Sequence, residues 1–204
     1  MGNAGKPSAD DEEDGVLQAA ARPGLSRRCL LTGLMAVAMA SAAQASMDRK
    51  AGRVTGLPLP RFVSLKSDKA RMRAGPSFDY PIRWVYEAKG LPVEILEEYG
   101  NWRQVRDCDG VSGWMNSALL SGKRTGLAAP WRTVSGEMID MHAAPGPLSQ
   151  VMAKLQPRVR LNVHDCDGHW CEVSVQNGGP SGYIRQSLVW GVYPAEIIGE
   201  KDPF

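Results

Sequence analysis

Cysteine and histidine are the side chains in this 204-residue sequence that could supply a nucleophile and its base. A nucleophilic cysteine needs a histidine within hydrogen-bonding reach. Cys108 lies well before all of the histidines, which are His142, His164 and His169. Each histidine is better interpreted as a surface or turn residue, so the pattern does not favour a cysteine hydrolase.

Paired carboxylates are the other candidate catalytic groups. Glu97 is followed by Glu98, and Asp107 and Asp109 flank Cys108, but both pairs fall at predicted hairpin turns. Carboxylates in turns commonly accept backbone hydrogen bonds. We therefore expect a protein that is not an enzyme and needs no cofactor, with a small hydrolase as the less favoured alternative.

Two cysteines bracket a predicted hairpin tip. Cys166 and Cys171 flank the turn residues Asp167-Gly168, between segments that have the composition of strands. Facing cysteines at such a tip are close enough for a disulfide. Together with His164 and His169 they could instead bind zinc, although the spacing matches no common zinc finger. Cys108 is then left over, and we expect it to be a free thiol.

The chain after residue 60 contains an internal repeat. Three blocks recur in order with an offset of 68 or 69 residues: 70–76 as 139–145, 100–105 as 168–173, and 113–119 as 182–188. When the tryptophans of the middle block are aligned, Cys166 and Cys171 fall on Glu98 and Arg103. Opposite charges suit facing positions of paired strands, so we expect an ion pair there.

Some aromatic residues belong to one copy of the repeat alone. Tyr80, Trp84 and Tyr86 have no aromatic counterparts in residues 148–153. Aromatics near Arg73 could line a groove for a peptide or glycan, although ordinary packing is the alternative. We take these four residues as the candidate ligand-binding set.

The N-terminal segment has the features of an export signal. Arg27 and Arg28 precede an apolar, Ala-rich run over residues 29–45, and cleavage after Ala45 is predicted. Consecutive arginines after a serine resemble a twin-arginine signal. The alternative, an uncleaved membrane anchor, is disfavoured because the run is short and diluted by polar residues. We expect the protein to be periplasmic or secreted, with no membrane association after cleavage.

The charge balance argues against nucleic-acid binding. Without residues 1–45, the counts of 24 basic and 22 acidic residues fall to 20 and 17, a net charge of +3. The charges are interspersed, and no basic run appears.

Short runs bounded by Gly, Pro, Asp and Asn predict an all-β fold with two small domains. Residues 117–120 are predicted to form one helical turn, and Trp131 to pack between the domains. The expected organisation is a signal over 1–45, a flexible leader over 46–60, a first domain over 61–122, a linker over 123–132, a second domain over 133–194 and a tail over 195–204.

The repeated blocks resemble a known family. Met72-Arg73-Ala74-Gly75-Pro76-Ser77 is similar to the opening of bacterial SH3 domains, and Gly-Asn-Trp-Arg-Gln-Val with Gly-Trp-Met is similar to their final hairpin. The segment from Cys166 to Val173 resembles a cysteine-flanked variant found in exported members. The second copy departs from the pattern, because His142-Ala143-Ala144 lacks the arginine and the glycine.

The resemblance implies two tandem SH3-like barrels without catalytic activity. It also implies a partner in the bacterial cell envelope, either cell-wall peptide (peptidoglycan) or an envelope protein. A structural scaffold that binds no small ligand is the alternative.

Overall fold

The computed structural model describes residues 49–199, in which every strand pairing is antiparallel. The predicted signal, with Arg27, Arg28 and Ala45, lies outside these residues. Within 49–199 no helix is both long enough and apolar enough to cross a bilayer.

The first half of the described chain forms a two-stranded sheet and a curled seven-stranded sheet. The strands are β1 (Lys50–Ala51), β2 (Pro58–Leu59), β3 (Arg61–Leu65), β4 (Ala70–Arg73), β5 (Ile82–Tyr86), β6 (Pro92–Tyr99), β7 (Trp102–Arg106), β8 (Ser112–Asn116) and β9 (Leu120–Ser121). The larger sheet has the order β5-β4-β8-β7-β6-β3-β9. A 3-10 turn over Ser117–Leu119 confirms the predicted helical turn.

The second half forms an eight-stranded sheet. Its strands are β10 (Thr125–Ala128), β11 (Ile139–His142), β12 (Val151–Leu155), β13 (Arg160–Asp167), β14 (Trp170–Val175), β15 (Ser181–Arg185), β16 (Val189–Trp190) and β17 (Ile197–Ile198). The order is β12-β11-β15-β14-β13-β10-β16, with β17 beside β13. Strand for strand this repeats the first sheet, so the predicted all-β fold with two similar domains is confirmed.

The predicted linker over 123–132 was wrong, because it contains β10. This strand pairs with both β13 and β16, as β3 pairs with β6 and β9. Gly126 suggested a linker, but an added Cβ there would lie 2.6 Å from Cγ1 of Val189. The glycine permits close strand packing, and the second domain therefore begins before residue 133.

The predicted leader and tail also contain regular structure. Strands β1 and β2 pair within the range 46–60, and the loop between them is held by the hydrogen bond from Gly52 N to Leu57 O, 2.8 Å. In the tail, Ile197 and Ile198 pair with Asp167 and Cys166.

Two equivalent glycines explain the repeated Gly-aromatic block. A Cβ on Gly113 would lie 2.7 Å from the carbonyl oxygen of Arg73, and one on Gly182 would lie 2.6 Å from that of His142. Strand β8 therefore approaches β4, and β15 approaches β11, more closely than any side chain allows. The same added Cβ atoms would also lie 2.7 Å from Cγ of Met72 and 2.8 Å from Cγ of Met141, the fully buried methionine of each core.

The two domains contact each other through an aromatic cluster. The ring of Phe62 lies 5.1 Å from that of Trp190 and 4.7 Å from that of Tyr193, centroid to centroid. The Tyr193 hydroxyl donates to Glu94 Oε1 at 2.9 Å. Trp131 was predicted to pack here, but 55% of its surface is exposed. The prediction for Trp131 was wrong, and Phe62, Trp190 and Tyr193 form the contact instead.

Candidate functional site

Arg73 holds the loop that follows β4. Its Nη1 donates to the carbonyl oxygens of Phe78 at 2.9 Å and Tyr80 at 2.6 Å. In the second domain the equivalent residue, His142, has Nδ1 at 3.0 Å from the carbonyl oxygen of Ser149. A carbonyl only accepts, so Nδ1 carries the proton. The second copy therefore keeps the support of this loop, although it lacks the arginine.

Tyr80 and Trp84 are accessible in the structure. The Tyr80 ring lies against Gly75, where an added Cβ would be 2.7 Å from ring carbons. This contact explains the glycine of the Arg-Ala-Gly block. Trp84 lies on the edge strand β5 and is 51% exposed.

Tyr86 is a core residue, which contradicts its assignment to a ligand-binding set. It is 9% exposed, and its hydroxyl donates to Asp107 Oδ2 at 2.7 Å. Burial raises the pKa of this hydroxyl, and the hydrogen bond to Asp107 raises it further. Tyr86 faces inward from its strand and packs in the core, which was the alternative interpretation of these aromatic residues.

Of the four predicted residues, Arg73 lines a groove together with residues that the sequence analysis did not select. This first-domain groove has a volume of about 410 Å³. Its lining residues are Lys69, Arg71, Arg73, Phe78, Trp102, Asn116, Ala118 and Leu119. Among residues 49–199 the lining includes three cations and no carboxylate. Lys69 pairs with the exposed Glu87 outside the lining, at 3.6 Å, and Arg71 and Arg73 still give the groove an excess of positive charge that suits an anionic ligand.

Phe78 gives this first-domain groove its apolar wall. Its ring is 70% exposed and meets the Trp102 ring edge-on at 5.0 Å. The Arg73 guanidinium lies 5.5 Å from the Phe78 centroid. The sequence feature that could have identified Phe78 is a phenylalanine in a loop that the second copy replaces with Pro147. Trp102 recurs as Trp170 in the second copy. A repeated tryptophan was interpreted as a core residue of both domains, so its position in the groove was missed.

Cys166 and Cys171 form the predicted disulfide, with their Cα atoms 4.1 Å apart on paired strands β13 and β14. The disulfide consumes both thiolates that a zinc site would need, so the zinc alternative was wrong. His164 instead has Nε2 at 2.8 Å from the Ser174 hydroxyl oxygen.

The predicted ion pair in the first domain is confirmed. Glu98 and Arg103 are register partners, with Arg103 Nε 3.6 Å from Glu98 Oε1. Glu98 lies within β6 and is buried, so its placement at a turn was wrong. It accepts from the backbone N–H groups of Val54 and Thr55, from the Thr55 hydroxyl and from Arg61.

The turn at residues 107–110 uses its carboxylate as the sequence predicts. Asp107 Oδ1 accepts from the N–H groups of Asp109 at 3.0 Å and Val111 at 2.9 Å. Cys108, the free thiol of this turn, has a pKa raised to about 11, first by burial and then by the charge of Asp109, with Arg158 opposing. A nucleophilic cysteine requires the opposite shift.

The bacterial SH3 domain family matches the chain twice, over residues 66–122 and 135–191. The chain therefore belongs to the bacterial SH3 domain family, as two tandem copies.

Similar proteins include YrvJ of Bacillus subtilis (strain 168), a proposed N-acetylmuramoyl-L-alanine amidase, at 27% identity over 143 residues. That alignment covers 68% of this chain and 27% of YrvJ, so the chain spans about a quarter of its relative. Similar solved structures include NlpC2 from Trichomonas vaginalis, at 13% identity and a TM-score of 0.29. The match covers 64% of this chain and 48% of NlpC2. An NlpC/P60 family protein from Bacillus cereus ATCC 10987 has 12% identity, 63% and 55% coverage and a TM-score of 0.28.

Proposed function

We propose that the chain is an exported, non-enzymatic binding module of the bacterial cell envelope whose first domain recognises cell-wall peptide. The observation that carries the proposal is the first-domain groove, where Lys69, Arg71 and Arg73 accompany the exposed ring of Phe78. Peptide carboxylates complement the cations, and an apolar side chain or sugar face can contact Phe78. The similarity to YrvJ, whose name refers to a wall amidase, supports an envelope location.

The non-enzymatic part of the proposal rests on the state of the nucleophile and the candidate bases. Burial raises the pKa of Cys108, which keeps it in the unreactive thiol form. His142 donates to a loop carbonyl and His164 contacts a serine hydroxyl, so both imidazoles have structural partners.

An envelope protein is the second candidate partner, and the edge strand β5 favours it. Ile82, Trp84 and Val85 are exposed at this end of the seven-stranded sheet. An exposed apolar edge can accept a strand from another protein.

Co-sedimentation with purified peptidoglycan tests the proposal. The wild-type protein should sediment with the wall, and Phe78→Ala should weaken binding by about tenfold, as loss of an aromatic anchor does. Leu148→Ala is the matched control, because Leu148 is fully exposed on the equivalent loop of the second domain. Equal sedimentation of Phe78→Ala and wild type would place the ligand elsewhere.

The same incubation tests the absence of catalysis. We expect no soluble wall fragments in the supernatant. Release of fragments that is abolished by His142→Ala, His164→Ala or His169→Ala would overturn the non-enzymatic assignment.

A further inference from the structure

A second cavity, which shares no lining residue with the first-domain groove, lies between strand β2, the first sheet and the start of the second domain. Its volume is about 280 Å³. The apolar part of its lining consists of Leu57, Pro58, Phe62, Val63, Ile95 and Leu120. We call it the arginine cavity, because four of its eight other lining residues are arginines.

The arginine cavity carries an excess of positive charge. Arg49, Arg61, Arg103 and Arg124 line it. The carboxylates that pair with them in residues 49–199 are Glu98, shared by Arg61 and Arg103, and Glu196, bound by Arg124 at 2.9 Å. Four guanidinium charges against two carboxylates leave a net charge of +2.

Both carboxylates already accept hydrogen bonds from other groups. Glu98 accepts four hydrogen bonds from Val54, Thr55 and Arg61. Glu196 Oε2 accepts from Arg124 and from Tyr193 N, at 2.7 Å. Neither can compensate the remaining charge.

Donors of this cluster remain unsatisfied. Within the described part of the chain, Arg61 Nη1 and Arg124 Nε are buried and have no hydrogen-bond partner. Arg49 stacks over the Tyr193 ring at 4.3 Å and forms no ion pair with a residue of 49–199. Unpaired buried donors on charged groups are costly, and native proteins normally satisfy them with protein, water or an ion.

We propose that the arginine cavity is an oxyanion-binding site, which takes a carboxylate or phosphate on a ligand whose apolar part contacts the Phe62 side of the cavity. Guanidinium groups bind both anions in bidentate geometry. The site requires both domains, because Arg124 and Glu196 come from the chain of the second domain and Arg61 and Arg103 from the first.

NMR titration of the full chain tests this proposal with three probes: N-acetyl-leucine, its neutral amide and inorganic phosphate. We expect saturable shifts of the Phe62 and Leu120 amides with an oxyanion, and binding at least about tenfold weaker for the amide. Saturation by N-acetyl-leucine identifies a carboxylate ligand. Saturation by phosphate alone identifies a phosphate ligand.

Two variants connect binding to the arginines. Arg49→Gln should weaken oxyanion binding by about tenfold, the effect of losing one charge-assisted contact. Arg124→Lys keeps the charge but loses the planar fork and should weaken binding similarly. Arg53→Gln is the matched control, since Arg53 is exposed and does not line the cavity.

Three results would overturn the proposal. They are the absence of saturable binding by either anion, saturable binding of the acid and the amide with equal affinity, and equal effects of Arg49→Gln and Arg53→Gln.

Discussion

Glu98 shows how one residue position can have two physical solutions. In the first domain the buried carboxylate is held by Thr55, Arg61 and Val54, while the equivalent position of the second domain is half of a disulfide. Burial alone would raise the pKa of Glu98, but the hydrogen bonds outweigh burial and lower it to about 2. The carboxylate of Glu98 therefore connects the loop after β1 to strand β6.

The lowered pKa of Glu98 makes stability depend on pH. A carboxyl whose folded pKa lies below its ordinary value of 4.5 stabilises the fold fully above pH 4.5. That stabilisation, about 3 kcal/mol, is lost as pH falls from about 4.5 to about 2. Urea unfolding should show that Glu98→Gln is less stable than wild type at pH 7, with the difference shrinking over this interval. The neighbouring exposed Glu97→Gln should show no such convergence, and a pH-independent difference for Glu98→Gln would contradict the prediction.

The equivalent glycines Gly113 and Gly182 provide a second prediction at the residue scale. Alanine at either position forces its Cβ against a backbone carbonyl, so each variant should lose about 2 kcal/mol of unfolding free energy, as overpacked sites do. Gly122→Ala is the control, because its Cβ would meet nothing within 4 Å. Thermal unfolding gives the change in stability of all three variants. Unchanged stability of Gly113→Ala would mean that β8 can move away from β4.

At the scale of elements, the β13–β14 hairpin is closed covalently where the β6–β7 hairpin is closed by charge. Strand β17 adds to the same hairpin by pairing with Cys166 and Asp167. The sequence predicted both hairpins, because their turn residues and facing positions lie close together in the chain.

The disulfide of this hairpin should contribute about 2 kcal/mol, the value for closing a short loop in the unfolded chain. Cys166→Ala/Cys171→Ala should lose at least that much in denaturant unfolding, while Cys108→Ala should not. A thiol count on the denatured, unreduced form cleaved after Ala45 should find one thiol, Cys108. Three thiols would contradict the disulfide.

Strand β10 marks the limit of element prediction from sequence. Thr125-Gly126-Leu127-Ala128 has too few residues and too weak an alternation to stand out from its surroundings. It is a strand because β13 and β16 provide partners on both sides, and those partners are distant in the chain.

At the scale of the whole molecule, the aromatic cluster of Phe62, Trp190 and Tyr193 joins the two domains. Arg158 adds an ion pair to Asp109 across the same boundary, and Arg160 donates to the carbonyl oxygen of Lys89 at 3.1 Å. Small domains bury little apolar surface by themselves, so mutual packing stabilises both.

The unfolding of the described unit should therefore be one cooperative transition. Phe62→Ala should lower stability by about 3 kcal/mol and separate the transition into two in calorimetry, because the shared aromatic contact is lost. The exposed Phe78→Ala, a substitution of the same kind, should leave a single transition. Two transitions in the wild type would show that the domains unfold independently.

The candidate site was only partly predictable from sequence. Arg73 was identified because a charged residue in a repeated block is conspicuous. Phe78 and Trp102 were missed because their contact joins a loop to a strand in another part of the sheet. Tyr86 was selected for its residue type, but the inward side of β5 decides its role.

The sequence by itself determined the repeat, the all-β class, the hairpin turns and the disulfide, because each depends on residues close in the chain or on a pattern that occurs twice. Only the tertiary structure decided which strand completes the second sheet, which aromatics join the domains and which cations share a cavity. These depend on contacts between residues as far apart as Phe62 and Tyr193, whose proximity is set by the packing of whole sheets.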